Sequence, residues 1–155
     1  MTRWLWLSLI VIFLDQSTKQ VAEAMLVYGQ PVYVLPFFDF TLLYNKGAAF
    51  SFLSDQGGWQ RWFFILLALG VSGVMLAWLA RLKQDERWTA VALSLIIGGA
   101  LGNVIDRILQ GQVVDFIHLH YQMHYFPAFN IADSAISIGV AVMLLDALVL
   151  SRRRV

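Results

Sequence analysis

The sequence predicts an all-α membrane protein: four transmembrane helices, a small extracytoplasmic β-sheet and a second extracytoplasmic loop or helical segment. Three observations carry that prediction. The chain of 155 residues is 59% hydrophobic and its mean hydropathy is +0.68, too apolar for a soluble domain of this length. Three apolar runs are long enough to cross a bilayer, and basic links lie between or beyond them. Ahead of the first run the texture changes to prolines, aromatics and β-branched residues, which reads as strand. The length suits one domain over residues 1–155, and no repeat or low-complexity stretch divides it.

The first span, about residues 4–25, has two readings. Trp4–Leu14 is apolar but only about half a bilayer long, and Asp15, Lys19 and Glu23 follow. It could be a cleaved signal peptide, with Arg3 as its basic start and Ala22-Glu23-Ala24 as a small-x-small site. The polar run Asp15–Gln20 is long for that role. Asp15 and Lys19 stand at i, i+4, where one helix face can pair them. A helix to about Met25, its polar stripe turned toward other helices, accommodates the same residues.

The segment at about 26–59 follows. Pro31 and Pro36 break helices, Val32–Leu35 and Phe38–Tyr44 read as short strands, and Asn45-Lys46-Gly47 is a turn signal. Asp55-Gln56-Gly57-Gly58 reads as a loop. Phe37, Phe38, Phe40, Phe50 and Phe52 either meet lipid or a lipid-bearing ligand, or cap the helices; sequence leaves both readings open. The remaining spans fall at about 60–80, 88–106 and 131–150, with a second outer segment at about 107–130. Gly98 and Gly102 have GxxxG spacing, which suits close helix contact within or between chains.

Basic residues set the orientation. Arg3, the link with Arg81, Lys83 and Arg87, and Arg152–Arg154 all fall on one side of four spans. The positive-inside rule makes that side cytoplasmic, with both termini there. The six Trp and five Tyr suit a chain with two interfaces to anchor in. A net charge of +1 offers no basic surface for nucleic acid. The absence of cysteine removes disulfides, iron–sulfur clusters and a thiol nucleophile together.

Two carboxylates near the outer interface carry the chemistry. Asp115, in Val113-Val114-Asp115-Phe116-Ile117, has apolar neighbours, and Asp133, in Phe129-Asn130-Ile131-Ala132-Asp133, opens the last span. Acids near hydrocarbon are costly, so a chain that keeps two of them has work for them. Each has a structural reading too: an ion pair with Arg107 for Asp115, and helix capping by Asn130 with Asp133 in the first turn. Brought together, they would share one proton and serve as general acid and base in peptide hydrolysis. Asn103 and Arg107, at i, i+4, share a face at the end of the third span, where the guanidinium could hold backbone or carboxylate. His118, His120 and His124 lie beside Asp115, with His120 and His124 on one face if that segment is helical. A zinc site there is conceivable, but nothing matches His-Glu-x-x-His, and no metal or other cofactor is expected. Asp146, near the cytoplasmic end, is expected to pair with Arg152–Arg154.

These stretches, in order, resemble the bacterial lipoprotein signal peptidase (signal peptidase II) family over essentially the whole chain. They are Asp15-Gln16-Ser17-Thr18-Lys19, Asn45-Lys46-Gly47-Ala48-Ala49-Phe50, Gly98 through Asp106-Arg107, and the two aspartate motifs above. The resemblance implies an aspartyl endopeptidase of the bacterial cytoplasmic (inner) membrane, with Asp115 and Asp133 as the catalytic pair. It implies that Asp15, Lys19, Asn45, Gly47, Asn103, Asp106, Arg107, Asn130 and Ala132 line or support the site. The implied partners are prolipoproteins bearing diacylglyceryl-cysteine, cut just before that cysteine, together with membrane lipid and globomycin-type cyclic peptide inhibitors. The outer sheet would cradle the substrate, and a monomer is expected. The histidine-rich stretch matches no family motif. Two other classes compete: a small transporter or proton relay using Asp15, Lys19, Asp106, Arg107, Asp115 and Asp133, and an interaction subunit using Gly98 and Gly102.

Overall fold

The structure is a computed structural model that describes residues 1–47, 57–122 and 124–150. Expectations for Ala48, Ala49, Phe50, Phe52, Asp55 and Arg152–Arg154 lie outside the described residues. A short 3₁₀ turn at Thr2–Trp4 leads into α1 (Leu5–Met25). Then come β1 (Val32–Leu35), β2 (Phe38–Asn45), α2 (Trp59–Arg81) and α3 (Arg87–Leu109). β3 (Val113–Tyr121), β4 (His124–Tyr125) and α4 (Ile131–Leu145) follow, and α4 continues as a wider turn at Asp146–Leu150.

Among the described residues, three helices are long and apolar enough to cross a membrane: Trp59–Arg81, Arg87–Leu109 and Ile131–Leu148. α1 is as long, but Asp15, Lys19 and Glu23 interrupt its hydropathy. Its buried residues are Ser8, Val11, Asp15, Lys19 and Ala22. That spacing of three and four marks one helical face, and the buried face is the polar one. Leu9 and Phe13 point outward and are about 70% exposed. Apolar outside and polar inside is how a helix solves the problem of a lipid solvent. The helix reading of this segment, with its polar stripe turned toward the other helices, is how it packs.

α3 is central and packs against α1, α2 and α4. Glycines permit the approach. A methyl group on Gly98 would lie 2.9 Å from Ser8 Cα in α1. One on Gly99 would collide with the Ala132 carbonyl oxygen in α4, and one on Gly102 would lie 2.7 Å from Asp15 Oδ2. Gly98 and Gly102 are thus used within the chain.

The sheet is antiparallel in the order β1-β2-β3-β4. β1 and β2 are the strands expected from the first outer segment. The second outer segment was expected as loop or helix and is instead strand: β3 pairs with β2, with Asp39 opposite His118 and Leu43 opposite Asp115. A bulge in β2 between Phe40 and Leu43 adjusts this register. The pairing of His120 with His124 on a helical face is corrected accordingly. His118 and His120 share a strand face, and His124 lies on β4. Phe37 is half exposed, whereas Phe38 and Phe40 are half-buried. The polar residues that alternate with them, Asp39 and Thr41, are the buried ones.

Candidate active site

Asp115 reaches the site from β3 and Asp133 from the first turn of α4. What joins them is a bridge outside the strands. The backbone N–H groups of Phe116 and Ile117 donate to the Phe129 carbonyl, and Phe129 N–H donates back to Ile117. This fixes Phe129 beside β3, so the next residue, Asn130, stands next to Asp115. Asn130 caps α4 by accepting Asp133 N–H at 2.9 Å, as the capping reading expected. Its side-chain N–H₂ group donates to Asp115 Oδ1 at 2.7 Å and to the Val114 carbonyl at 3.2 Å. The capping residue thus also touches Asp115, so the cap does not exclude an acid–base role for the two carboxyls.

Asn103 on α3 completes the link. Its Nδ2 donates to Asp133 Oδ1 at 2.8 Å, and its Oδ1 accepts from Lys19 Nζ at 3.1 Å and from Asn130 Nδ2 at 3.3 Å. Behind it lies a buried charge cluster. Lys19 Nζ sits 2.7 Å from Asp15 Oδ2 and 2.8 Å from Asp106 Oδ2, which with Asn103 uses all three ammonium donors. Asp15 Oδ1 accepts the Ala132 N–H at 2.9 Å. Asp106 accepts from Gln16 Nε2 and from the Val114 N–H. The cluster thereby ties α1, α3, β3 and α4 together immediately behind the two aspartates.

On the opposite flank, Asn45 Nδ2 lies 3.4 Å from Asp115 Oδ2, and Asn45 Oδ1 accepts the Gly47 N–H at 2.9 Å. Arg107 Nη2 donates to the Gly47 carbonyl at 2.8 Å, and its guanidinium lies over the Phe64 ring. Among the described residues Arg107 makes no ion pair with Asp115; it holds backbone. Lys46, by contrast, is exposed.

Asp115 and Asp133 line one cavity of about 1020 Å³, along with Asn45, Asn103 and Arg107. The Asp115 carboxyl is 3% exposed. Burial pushes it up from the usual carboxylate range to about 7, the nearby Asp133 charge pushes further, and the Asn45 and Asn130 donors pull back. A buried carboxyl poised near neutrality beside a second acid in a cleft is equipped for proton transfer.

Comparison with known proteins decides the family. The signal peptidase (SPase) II family matches residues 7–149. The chain belongs to the signal peptidase II family. It is 56% identical over 145 residues to a lipoprotein signal peptidase of Pseudomonas putida, covering 92% of this chain and 85% of that one. It is 57% identical over 151 residues to one from Acinetobacter baumannii, covering 97% and 86%. A bacterial membrane enzyme solved by the in meso method at 2.3 Å superposes with a TM-score of 0.85 at 34% identity, covering 96% and 88%. A second, at 1.9 Å, gives 0.81 at 33%, covering 96% and 94%. With its apolar helices, the chain is a multi-pass membrane protein of this signal peptidase II family.

Around one cavity the structure brings together Asp15, Lys19, Asn45, Asn103, Asp106, Arg107, Asp115, Asn130 and Asp133, with Ala132 contributing its N–H and Gly47 both its N–H and its carbonyl. Gln16, inside a quoted motif, had been given no role. Asp39 and Thr41 were missed altogether; their alternation with Phe38 and Phe40 was the available signal. The zinc arrangement around Asp115 does not form. His118 and His120 turn to Asp39, and among the described residues no group of His, Asp or Glu is arranged to hold a metal. Asp146 accepts a hydrogen bond from Thr89 Oγ1 at 2.5 Å.

Proposed function

We propose that this chain is an aspartyl endopeptidase that removes the signal peptide from diacylglyceryl-modified prolipoproteins, with Asp115 and Asp133 as its acid–base pair. The observation that carries this reading is the pair of amides, Asn103 and Asn130, that hold the two carboxyls on one cavity. Family membership points to the same substrate class.

The two acids share one proton. Among the described residues, Asp133 Oδ2 receives no hydrogen bond, so it is the oxygen open to a water molecule. The ionised carboxylate takes a proton from that water as its oxygen attacks the scissile carbonyl carbon. The protonated partner delivers its proton to the carbonyl oxygen, giving a neutral tetrahedral diol. Collapse of the diol breaks the C–N bond, returns a proton to the pair and passes one to the leaving amine.

Four spans with the basic ends in the cytoplasm put the cavity near the outer face of the bacterial inner membrane. There a substrate anchored by its signal helix and acyl chains arrives by lateral diffusion. Binding energy far from the bond then supplies orientation. The exposed apolar strand β1 and Phe37 suit contact with lipid.

The test is cleavage of a lipidated precursor by the purified protein, read as a gel shift. Asp115→Asn and Asp133→Asn are each expected to lose about 10²- to 10⁴-fold in rate while retaining the wild-type fold. Globomycin-type cyclic peptides are expected to inhibit the wild type. A folded Asp115→Asn protein that cleaves at a comparable rate would overturn the assignment.

A further inference from the structure

We propose that His118 is a substrate-binding residue, whose Nε2 accepts a backbone N–H of the bound precursor peptide while Asp39 fixes the ring. The proposal rests on the peptidase reading above and names a contact that the aspartate machinery does not supply.

β2 and β3 build the arrangement. Asp39 stands opposite His118 in the register, and His120, two residues on, shares its strand face. Asp39 is 1% exposed. Its Oδ1 lies 3.3 Å from His118 Nδ1 and accepts from Thr41 Oγ1, and its Oδ2 lies 3.3 Å from His120 Nε2. Tyr125 stacks on His118 with centroids 5.2 Å apart and covers His120 at 5.4 Å. Asp39 and the Tyr125 ring thus hold the His118 imidazole, while the approach of His120 Nε2 to Asp39 Oδ2 makes no hydrogen bond.

The two histidines differ in what they have left over. His120 turns its Nε2 to Asp39, where that atom is buried. His118 turns its Nδ1 to Asp39 and lines the cavity that contains Asp115 and Asp133. Among the described residues its Nε2 has no partner. In the neutral imidazole, a carboxylate facing Nδ1 favours the tautomer that carries its proton there and leaves Nε2 a lone pair. An acceptor held by stacking on a cavity wall suits a peptide N–H, a donor that every substrate residue except proline carries.

His118 and Asp115 stand three residues apart on β3, so their side chains leave opposite faces of the strand; both nevertheless line the one cavity. A structural role alone accounts for the Asp39–His120 contact but leaves the open nitrogen of His118 unused.

The experiment uses the full chain in detergent with a lipidated precursor. His118→Phe keeps the ring stack and removes both nitrogens; KM is expected to rise roughly tenfold, the size of one neutral hydrogen bond, with kcat near the wild-type value. In parallel, precursors carry single amide-to-ester replacements at each position within about five residues of the scissile bond. One ester is expected to raise KM for the wild type and leave KM unchanged for His118→Phe. That coupling does not depend on how the variant affects folding. If no ester position couples to His118, the proposal is overturned while the peptidase reading stands. A wild-type protein that fails to cleave the precursor removes both.

Discussion

The Asn103 amide has one orientation open to it. Lys19 and Asn130 present only N–H donors to one side of the group, so its oxygen must face them and its N–H₂ must face Asp133. Lys19 thus governs the hydrogen bonding of an acid that it does not touch. Asn45 acts on the other acid more directly. Its N–H₂ group favours the charged form of Asp115, so its loss raises the carboxyl further from its value of about 7. The active pair needs one proton, which is lost as pH rises through the upper titration. The alkaline limb of kcat/KM is expected near pH 7 in the wild type and at higher pH in Asn45→Ala, read from profiles over about pH 5 to 9. Among single residues, the motif positions were legible because charged and amide side chains are conspicuous in an apolar chain. Asp39 was not, because its partners come from a strand almost eighty positions later.

At the scale of elements, the helices were readable and the third strand was not. Length and hydropathy define a span without reference to its neighbours. β3 is a strand because β2 supplies its ladder and Phe129 closes its other side. Both are non-local, and Val113-Val114-Asp115-Phe116-Ile117 has no clean alternation to betray them. The glycines of α3 are the converse case. Their spacing was visible, but only the packed fold tells which neighbour each one admits. Gly99 faces the carbonyl of Ala132, one residue from Asp133, and a backbone atom cannot rotate aside. Gly99→Val is expected to destabilise the protein by about 1–3 kcal/mol, seen as a lower Tm in detergent. Because α4 must shift to relieve the clash, cleavage is expected to fall even at temperatures where the variant remains folded.

For the whole molecule, the buried polar cluster plays the part that an apolar core plays in water. α2 faces outward along most of its length, and only Gln60, Ile65, Ser72 and Leu79 are buried. α1 joins α3 and α4 through Asp15, Lys19 and Asp106 instead. Lys19→Met leaves two carboxylates buried without their ammonium partner. That is expected to cost about 3–5 kcal/mol, measured by thermal unfolding, with a larger loss than Lys19→Arg.

The hydrogen bond from Ala132 N–H to Asp15 has a further consequence for folding. It joins α1, the earliest of the long helices, to α4, the latest. Asp15 receives that amide only once α4 has packed against α1 and α3, so the carboxyl-lined cleft takes shape at the end of folding rather than helix by helix.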